Sequence, residues 1–391
     1  MSTTETREQA LVEAAAPVRP IPGDEADSQP KPGVALCLSG GGYRAMLFHV
    51  GALWRLNELG WLKKLERVSS VSGGSITAGV LAHHWGELTF DGGDVATNFG
   101  SELVDPIREL AGRTVDIAAG LKGAFLRGSI ADRVANSYDE HLFDGATLQD
   151  IPDDPPRFVF NATNLQSGVL WRFSKKYMWD YRVGKIESPR LRLAVAVAAS
   201  SAFPPFLSPL TLKLDEGDYV PGTGTDLQQS AYMQRPVLSD GGVYDNLGLE
   251  TAWKRYQTIL VSDGGGHFSA KSRIWTNWPL QAQRVLGVID GQVRALRKRQ
   301  VVGGLKANLR EGAYWSVWSE TADFGLPDPL DCPDDSTKKL AAIPTRLGKT
   351  DSLTQSRLIN WGYAICDTAM RKHVLTGAPR PAGFPYPEAG V

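Results

Sequence analysis

The chain has 391 residues, and its 42 basic and 43 acidic side chains leave a formal net charge of −1 at pH 7. This balance excludes a strong overall field, so we expect no nucleic-acid partner, and any membrane contact must be local. The three cysteines, Cys37, Cys332 and Cys366, are far apart and odd in number, which argues against a disulfide framework and a zinc site and favours a cytoplasmic protein.

The N-terminal residues 1–32 are rich in Glu, Ala, Pro and Ser and have no sustained apolar periodicity. Such a composition predicts a flexible tail. It lacks the basic start and apolar stretch of a secretory signal, and the chain has no apolar run near the roughly 20 residues that span a bilayer. We therefore predict a tail over 1–32 and a single domain over 33–391.

The next stretch contains two short apolar strands, Val34–Leu38 and Leu65–Val71, and each runs into a glycine turn that opens a helix. The first turn is Gly40-Gly41-Gly42 and the second is Ser72-Gly73-Gly74. The first N–H groups of a helix have no intrahelical acceptor, and the helix dipole adds positive potential there. Both turns are therefore suited to holding a negatively charged group.

The remaining chain alternates further strands and helices. The pattern predicts helical decoration at 85–156, including a helix at Thr114–Leu126, and again at 270–391. Between them we predict strands at Arg157–Thr163, Leu170–Ser174 and Thr258–Ser262, a small-residue helix at Leu191–Ser201, and late helices at Trp278–Val302 and Ser352–His373. This alternation predicts an α/β fold.

The second glycine turn has the spacing of a catalytic motif. Ser70-Val71-Ser72-Gly73-Gly74 approximates the G-x-S-x-G nucleophile elbow, in which a serine on a tight strand-to-helix turn is raised above the sheet. Ser70 replaces the first glycine but is also small. The motif makes Ser72 the candidate nucleophile, with Ser70 and Gly74 as the small neighbours of the elbow.

Four ordered blocks carry a family resemblance. They are Ser39-Gly40-Gly41-Gly42-Tyr43-Arg44, the serine elbow, Ala198–Pro205, and Leu238–Asn246 with its Asp240-Gly241-Gly242 sequence. Together they resemble the patatin-like phospholipase family. The resemblance implies a three-layer α/β/α sandwich around a mainly parallel sheet, with the catalytic blocks within residues 34–250.

The resemblance also implies a mechanism, a Ser-Asp dyad that needs no histidine. Ser72 would be the nucleophile and Asp240 the base, activated by a dry site that raises its pKa. The backbone of Gly40, Gly41, Gly42 and Gly73 would form the oxyanion hole. Arg44, after the glycines, would place its guanidinium near phosphate or the loop backbone; a surface ion pair is the alternative.

Several alternatives remain open at this point. Asp263 also begins an Asp-Gly-Gly sequence after a strand. Asp240 is preferred because the residues that follow it, Gly242 to Asn246, are similar to those after the catalytic aspartate of the family. A Ser-Asp-His triad would add His267 or His373. Gly40–Ala45 also fits a dinucleotide-binding loop, but the acidic residue expected about 20 positions later is missing. A non-catalytic, lipid-binding or scaffold protein on the same fold is the third class.

The expected substrate is a lipid ester, with phospholipids ahead of lysophospholipids and neutral acylglycerols. Eleven tryptophans, including Trp275, Trp278, Trp315 and Trp318, could support peripheral membrane contact. Some bacterial family members are membrane-degrading anti-phage effectors activated by cyclic nucleotides, and this role is kept as a hypothesis. No cofactor or metal is expected, since no calcium-loop motif is found. The oligomeric state is not predicted.

Overall fold

The computed structural model describes residues 30–115, 130–153, 155–205, 207–274 and 277–391. The predicted tail lies outside this range except for its last residues, and Lys31 and Pro32 belong to the first strand. Most of the predicted helix Thr114–Leu126 and the whole of Trp275 also lie outside the described residues. Within the described ranges, no helix combines the length and the apolar composition of a membrane span.

The described residues form eleven strands in one sheet. They are β1 (Lys31–Leu38), β2 (Leu65–Ser70), β3 (Arg157–Asn164), β4 (Val169–Phe173), β5 (Tyr177–Asp180), β6 (Gly184–Glu187), β7 (Leu210–Thr211), β8 (Tyr219–Val220), β9 (Val237–Asp240), β10 (Tyr256–Asp263) and β11 (Glu311–Ser316). The main order is β11-β10-β1-β2-β3-β4-β5-β6-β8, with β9 beside β3 and β7 beside β9.

Eleven α-helices lie in the described ranges. They are α1 (Gly42–Glu58), α2 (Gly73–His83), α3 (Asp105–Ala111), α4 (Ile130–Tyr138), α5 (Leu193–Ser200), α6 (Ser230–Met233), α7 (Gly242–Asp245), α8 (Glu250–Trp253), α9 (Trp278–Lys306), α10 (Asp334–Ala341) and α11 (Ser352–His373). Short π-helical segments at Gly100–Val104 and Asp139–Phe143 precede α3 and follow α4, respectively. Four single turns of 3₁₀-helix complete the set: Leu62–Lys64, Trp85–Glu87, Glu216–Asp218 and Thr321–Phe324.

The sheet has a parallel part and an antiparallel part. The five strands from β11 to β3 are parallel, whereas β4, β5, β6 and β8 continue the sheet in antiparallel pairs. Alternate residues of β1 enter two different cores: Leu36 and Leu38 face the larger one with α1, α2 and α11, and Ala35 and Cys37 face the smaller one with α8 and α9. This period-two alternation confirms the predicted α/β/α sandwich. The sequence did not predict the antiparallel extension.

Helix α1 is buried on nearly every side because α11 covers its outer face. The two helices touch backbone to backbone at a pair of glycines. A Cβ on Gly51 would lie 1.9 Å from the Ile359 carbonyl oxygen, and one on Gly362 would lie 1.9 Å from the Phe48 oxygen. Only residues without side chains allow this close approach, which fixes α1 and the glycine turn before it.

Two strands end head to head beside β3. On β3, Phe160 pairs with Ser70 of β2, and Ala162 pairs with Asp240 of β9. Both pairings use the edge of β3 opposite β4, because Phe160 and Ala162 also pair with β4. Since β2 is parallel to β3 and β9 is antiparallel to it, their carboxyl ends meet near Asn161. This arrangement brings together the residues that follow each strand.

Candidate active site

Ser72 occupies a strained turn between β2 and α2. Its backbone has φ 53° and ψ −122°, a conformation that residues with a side chain rarely adopt. The two glycines after it are sterically required, since a Cβ on Gly73 would lie 2.2 Å from the Gly42 carbonyl oxygen and one on Gly74 would lie 2.4 Å from the Leu38 oxygen. The turn therefore has the tight strand-to-helix geometry of a nucleophile elbow.

A small hydroxyl network supports the elbow from below. The Ser72 N–H donates to Ser200 Oγ over 3.1 Å, and Ser200 Oγ donates to the Asn161 carbonyl oxygen over 2.7 Å. Ser75 Oγ lies 2.8 Å from Ser200 Oγ and 2.9 Å from Ser70 Oγ. Ser70 therefore lies beneath the elbow, and its hydroxyl participates in holding it. Sequence reasoning matched the block that contains Ser200 but assigned that residue no role.

Asp240 ends β9 and is almost completely buried, with 2% of its surface exposed. Its Oδ1 accepts a 2.7 Å hydrogen bond from the Gly242 N–H, while the buried Oδ2 has no hydrogen-bond partner among the described residues. Burial raises the pKa of Asp240 to about 6, against the lowering influence of the Gly242 N–H, the Ser72 side chain and the Arg294 charge. The carboxyl group is therefore a stronger base than an ordinary aspartate.

The structure brings Ser72 and Asp240 together, as the strand arrangement requires. The Ser72 hydroxyl is close enough to Asp240 to lower its pKa through hydrogen bonding. Among the described residues, neither carboxyl oxygen of Asp240 has a hydrogen bond to Ser72 that meets standard distance and angle limits, and Oδ2 has no partner. Catalytic hydrogen bonds are commonly long before substrate binds.

The glycine turn after β1 lies beside the elbow. Gly42 has φ 62°, and a Cβ there would lie 2.5 Å from the Arg346 carbonyl oxygen. The N–H groups of Gly41, Gly42 and Gly73 have no hydrogen-bond acceptor among the described residues. Gly40 differs from the prediction, because its N–H donates to the Asn246 carbonyl oxygen over 3.1 Å. The candidate oxyanion donors are therefore Gly41, Gly42 and Gly73.

Arg44 bonds to loop backbone, one of the environments predicted for it. It is buried, and its guanidinium donates to the Gly264 carbonyl oxygen from Nε (3.1 Å) and Nη2 (3.0 Å). It also donates to the Ile343 carbonyl oxygen and, over 3.1 Å, to Thr345 Oγ1. These acceptors occupy the guanidinium, so Arg44 holds the first turn of α1 to two distant loops. The alternative of a surface ion pair is therefore wrong, whereas the oxyanion-hole role stays a prediction.

Asn246 is a further site residue that sequence reasoning left without a role. Its side chain lies between the two glycine turns: Oδ1 is 2.6 Å from the Cβ position of both Gly40 and Gly242. Its backbone oxygen holds the Gly40 N–H. The residue thus connects the turn after β1 to the turn after β9. Its position in the Leu238–Asn246 block was the signal that could have identified it.

The alternative base and the histidines have other partners. Asp263 Oδ1 accepts from the Gly265 N–H (2.9 Å) and Oδ2 from the Tyr314 hydroxyl (2.7 Å), so Asp263 closes a turn. His267 stacks on Trp318, and His373 packs against Phe324. In the described part of the chain, which includes all six histidines, no ring nitrogen bonds to Ser72 or Asp240.

Among the described residues, one group has the spacing of metal ligands: His84, Glu87 and Glu102. It lies near the C-terminal end of α2, whereas Ser72 caps the N-terminal end. We therefore assign it no part in the site.

A comparison with family profiles identifies a family. The family profile for patatin-like phospholipase matches residues 36–253, more than half of the chain. The described fold is similar to crystal structures of human GIVD cytosolic phospholipase A2, including a complex with methyl gamma-linolenyl fluorophosphonate and terbium (15% identity, TM-score 0.45, covering 94% of this chain and 63% of that one). A second structure of that enzyme covers 85% of this chain and 55% of its own (14%, TM-score 0.41).

VipD from Legionella pneumophila is also similar (14% identity, TM-score 0.36, 88% of this chain and 67% of that one). The chain thus spans between 55% and 67% of the length of these proteins. A comparison with curated proteins found no match. Because the profile covers more than half of the chain, including both glycine turns, the elbow and the turn at Asp240, the chain belongs to the patatin-like phospholipase family, a family of enzymes that hydrolyse lipid esters.

Proposed function

We propose that the protein is a serine lipid acyl hydrolase of the phospholipase A or lysophospholipase type, with Ser72 as nucleophile and Asp240 as general base. The observation that carries this proposal is the buried Asp240 carboxyl group, with a pKa of about 6, directed toward a serine in an elbow conformation. At neutral pH such a carboxyl group is mostly ionised and still takes a proton more readily than an exposed aspartate.

The acylation step follows from the geometry. Asp240 accepts the Ser72 hydroxyl proton as Oγ attacks the ester carbonyl carbon. The N–H groups of Gly41, Gly42 and Gly73 are the available donors for the resulting oxyanion. The intermediate collapses when the C–O bond to the alcohol breaks and the protonated Asp240 returns its proton to the departing oxygen.

Deacylation uses the same groups. Asp240 takes a proton from water as the water oxygen attacks the acyl carbon. The second intermediate then releases a fatty acid when the bond to Ser72 Oγ breaks, and Asp240 returns its proton to Oγ. A phospholipid substrate therefore gives one fatty acid and one lysophospholipid. No histidine is needed, and among the described residues none of the six histidines bonds to Ser72 or Asp240 through a ring nitrogen.

The experiment is fluorophosphonate labelling of the full chain followed by mass spectrometry of products from phospholipid vesicles. We expect labelling and release of fatty acid in the wild type and in a His267→Gln, His373→Gln double variant. Both signals should disappear in Ser72→Ala, and hydrolysis should disappear in Asp240→Asn. The matched control is Asp263→Asn, which alters the other Asp-Gly-Gly turn and should retain activity.

Other outcomes assign the alternatives. Loss of hydrolysis in the double histidine variant would favour the triad. Absence of labelling in the wild type would favour a lipid-binding scaffold. A cyclic-nucleotide-activated role in anti-phage defence is a separate proposal, supported by family resemblance alone, and it requires that hydrolysis rise when the nucleotide is added.

A further inference from the structure

Among its described residues, helix α9 carries seven exposed large apolar side chains, and four of them form a stripe. Trp278, Val285, Ile289 and Leu296 are between 51% and 79% exposed. Their spacings of seven, four and seven residues place them within about 20° of one line along the helix, given 100° per residue. At 1.5 Å per residue this line is about 27 Å long. We call these four residues the α9 stripe.

A different face of α9, in the second half of the helix, attaches it to the domain. Arg297 and Val301 are buried, and Arg297 pairs with Glu250 over 3.1 Å. On the helical wheel these two residues are about 100° and 140° away from the stripe. The stripe therefore points away from the sheet.

Helix α9 also carries an exposed tryptophan, Trp278. Trp315 is fully buried and Trp318 lies under the His267 ring. Trp278 is 79% exposed at the first turn of α9. Of the three described tryptophans proposed for lipid contact, Trp278 is the one whose side chain is mostly exposed.

The net charge of α9 is strongly positive. Its sequence contains six basic residues and one acidic residue, Asp290, so it carries five positive charges in a chain whose net charge is −1. Lys298, Arg299 and Lys306 are exposed. A second copy of the helix would bring two such charges together, whereas a surface of anionic groups would neutralise them.

A cleft on the other side of α9, where Leu280 and Gly287 lie about 160° and about 180° from the stripe, repeats this combination of apolar and basic groups. It has a volume of about 390 Å³ and lies between the loop after β10 and the first half of α9. Its lining includes Phe268, Ile274, Lys271, Arg273 and Arg284. A phosphate with an attached acyl chain offers the matching chemistry.

We propose that the α9 stripe docks on anionic phospholipid bilayers, with the helix lying in the plane of the interface. Exposed apolar residues on one face with basic residues beside them are typical of such helices. This proposal adds a membrane-binding surface to the proposed function, and it rests on that function. Arg294 connects α9 to the active site. Its side chain extends from α9 to the Gly266 carbonyl oxygen (2.6 Å), and its charge lowers the pKa of Asp240.

The test is vesicle co-sedimentation with the full-length Ser72→Ala protein, so that hydrolysis does not change the lipid. We expect binding to vesicles of phosphatidylcholine with phosphatidylglycerol, and at least tenfold weaker binding to phosphatidylcholine alone or in high salt. The variant Ile289→Ser, Leu296→Ser should reduce binding to the anionic vesicles at least tenfold. Its matched control is Leu353→Ser, an equally exposed leucine on α11, which should bind like its parent.

Two results would overturn the proposal. One is undiminished vesicle binding by the stripe variant. The other is a dimer in light scattering that the stripe variant dissociates while vesicle binding is absent. Hydrolysis of a soluble short-chain ester, measured in parallel with Ser72 intact, separates this proposal from the catalytic one: the stripe variant should retain that activity. If the ester is not hydrolysed but vesicles still bind, the proposed function fails and the docking surface stands.

Discussion

The pKa of Asp240 makes the pH dependence of hydrolysis a quantitative test. With a pKa of about 6, the carboxyl group is about 90% ionised at pH 7 and about 10% ionised at pH 5. An aspartate at the ordinary value of 3.8 would stay over about 90% ionised across this range. If Asp240 is the base, kcat/KM should therefore fall about tenfold between pH 7 and pH 5.

The assay uses a soluble short-chain ester, so that membrane binding does not contribute. Circular dichroism at each pH shows that the fold persists. Replacing Arg294 with glutamine removes a charge that lowers the pKa of Asp240, so the acid limb should move to higher pH. Arg299→Gln on the same helix is the matched control and should leave the limb in place. A profile that is flat from pH 5 to pH 7, in a protein that is still folded, would refute the assignment of Asp240.

Three further predictions concern single side chains. Gly73→Ala should lower kcat/KM at least a hundredfold and reduce Tm, since the added Cβ would lie 2.2 Å from the Gly42 oxygen. Asp240→Asn should be inactive yet more stable by up to about 3 kcal/mol above pH 6, because 1.36 kcal/mol corresponds to each unit of its raised pKa. The native state binds the extra proton between pH 3.8 and about 6, so wild-type stability falls as pH rises through that window, and urea titrations should show the two proteins converging below pH 3.8. Arg44→Met should lower Tm and slow fluorophosphonate labelling while leaving vesicle affinity unchanged, because Arg44 bonds to the backbone at Gly264; weaker vesicle affinity with unchanged Tm would instead indicate lipid contact.

Sequence reasoning succeeded where the structure is determined by neighbouring residues. The elbow at Ser72 and the turn at Asp240 each follow from a few consecutive residues with small side chains. Helix α11 was predicted with its observed bounds, and α9 from its observed first residue, Trp278. In each case the tertiary packing keeps the structure that the local sequence pattern predicts.

It failed where the decisive partner lies far away in the chain. The acceptor for the Gly40 N–H is Asn246, 206 residues later, and Arg44 reaches Gly264, 220 residues later. No local pattern identifies which amide is already occupied or which guanidinium is buried. The antiparallel extension beyond β3 is a different case, because β3, β4, β5 and β6 pair through short turns, and sequence periodicity alone did not determine this pairing.

Because the ends of β2 and β9 meet beside β3, enzymatic activity requires that both strands pair with β3 in the correct register. Side chains alternate between faces along a strand, so a slip of β9 by one residue on β3 would displace the carboxylate by about 3.3 Å and turn it to the far side of the sheet. A misregistered chain could keep its full complement of strands and still be inert. During refolding, recovery of turnover should consequently coincide with the correct docking of β9, however early the bulk of the sheet has formed.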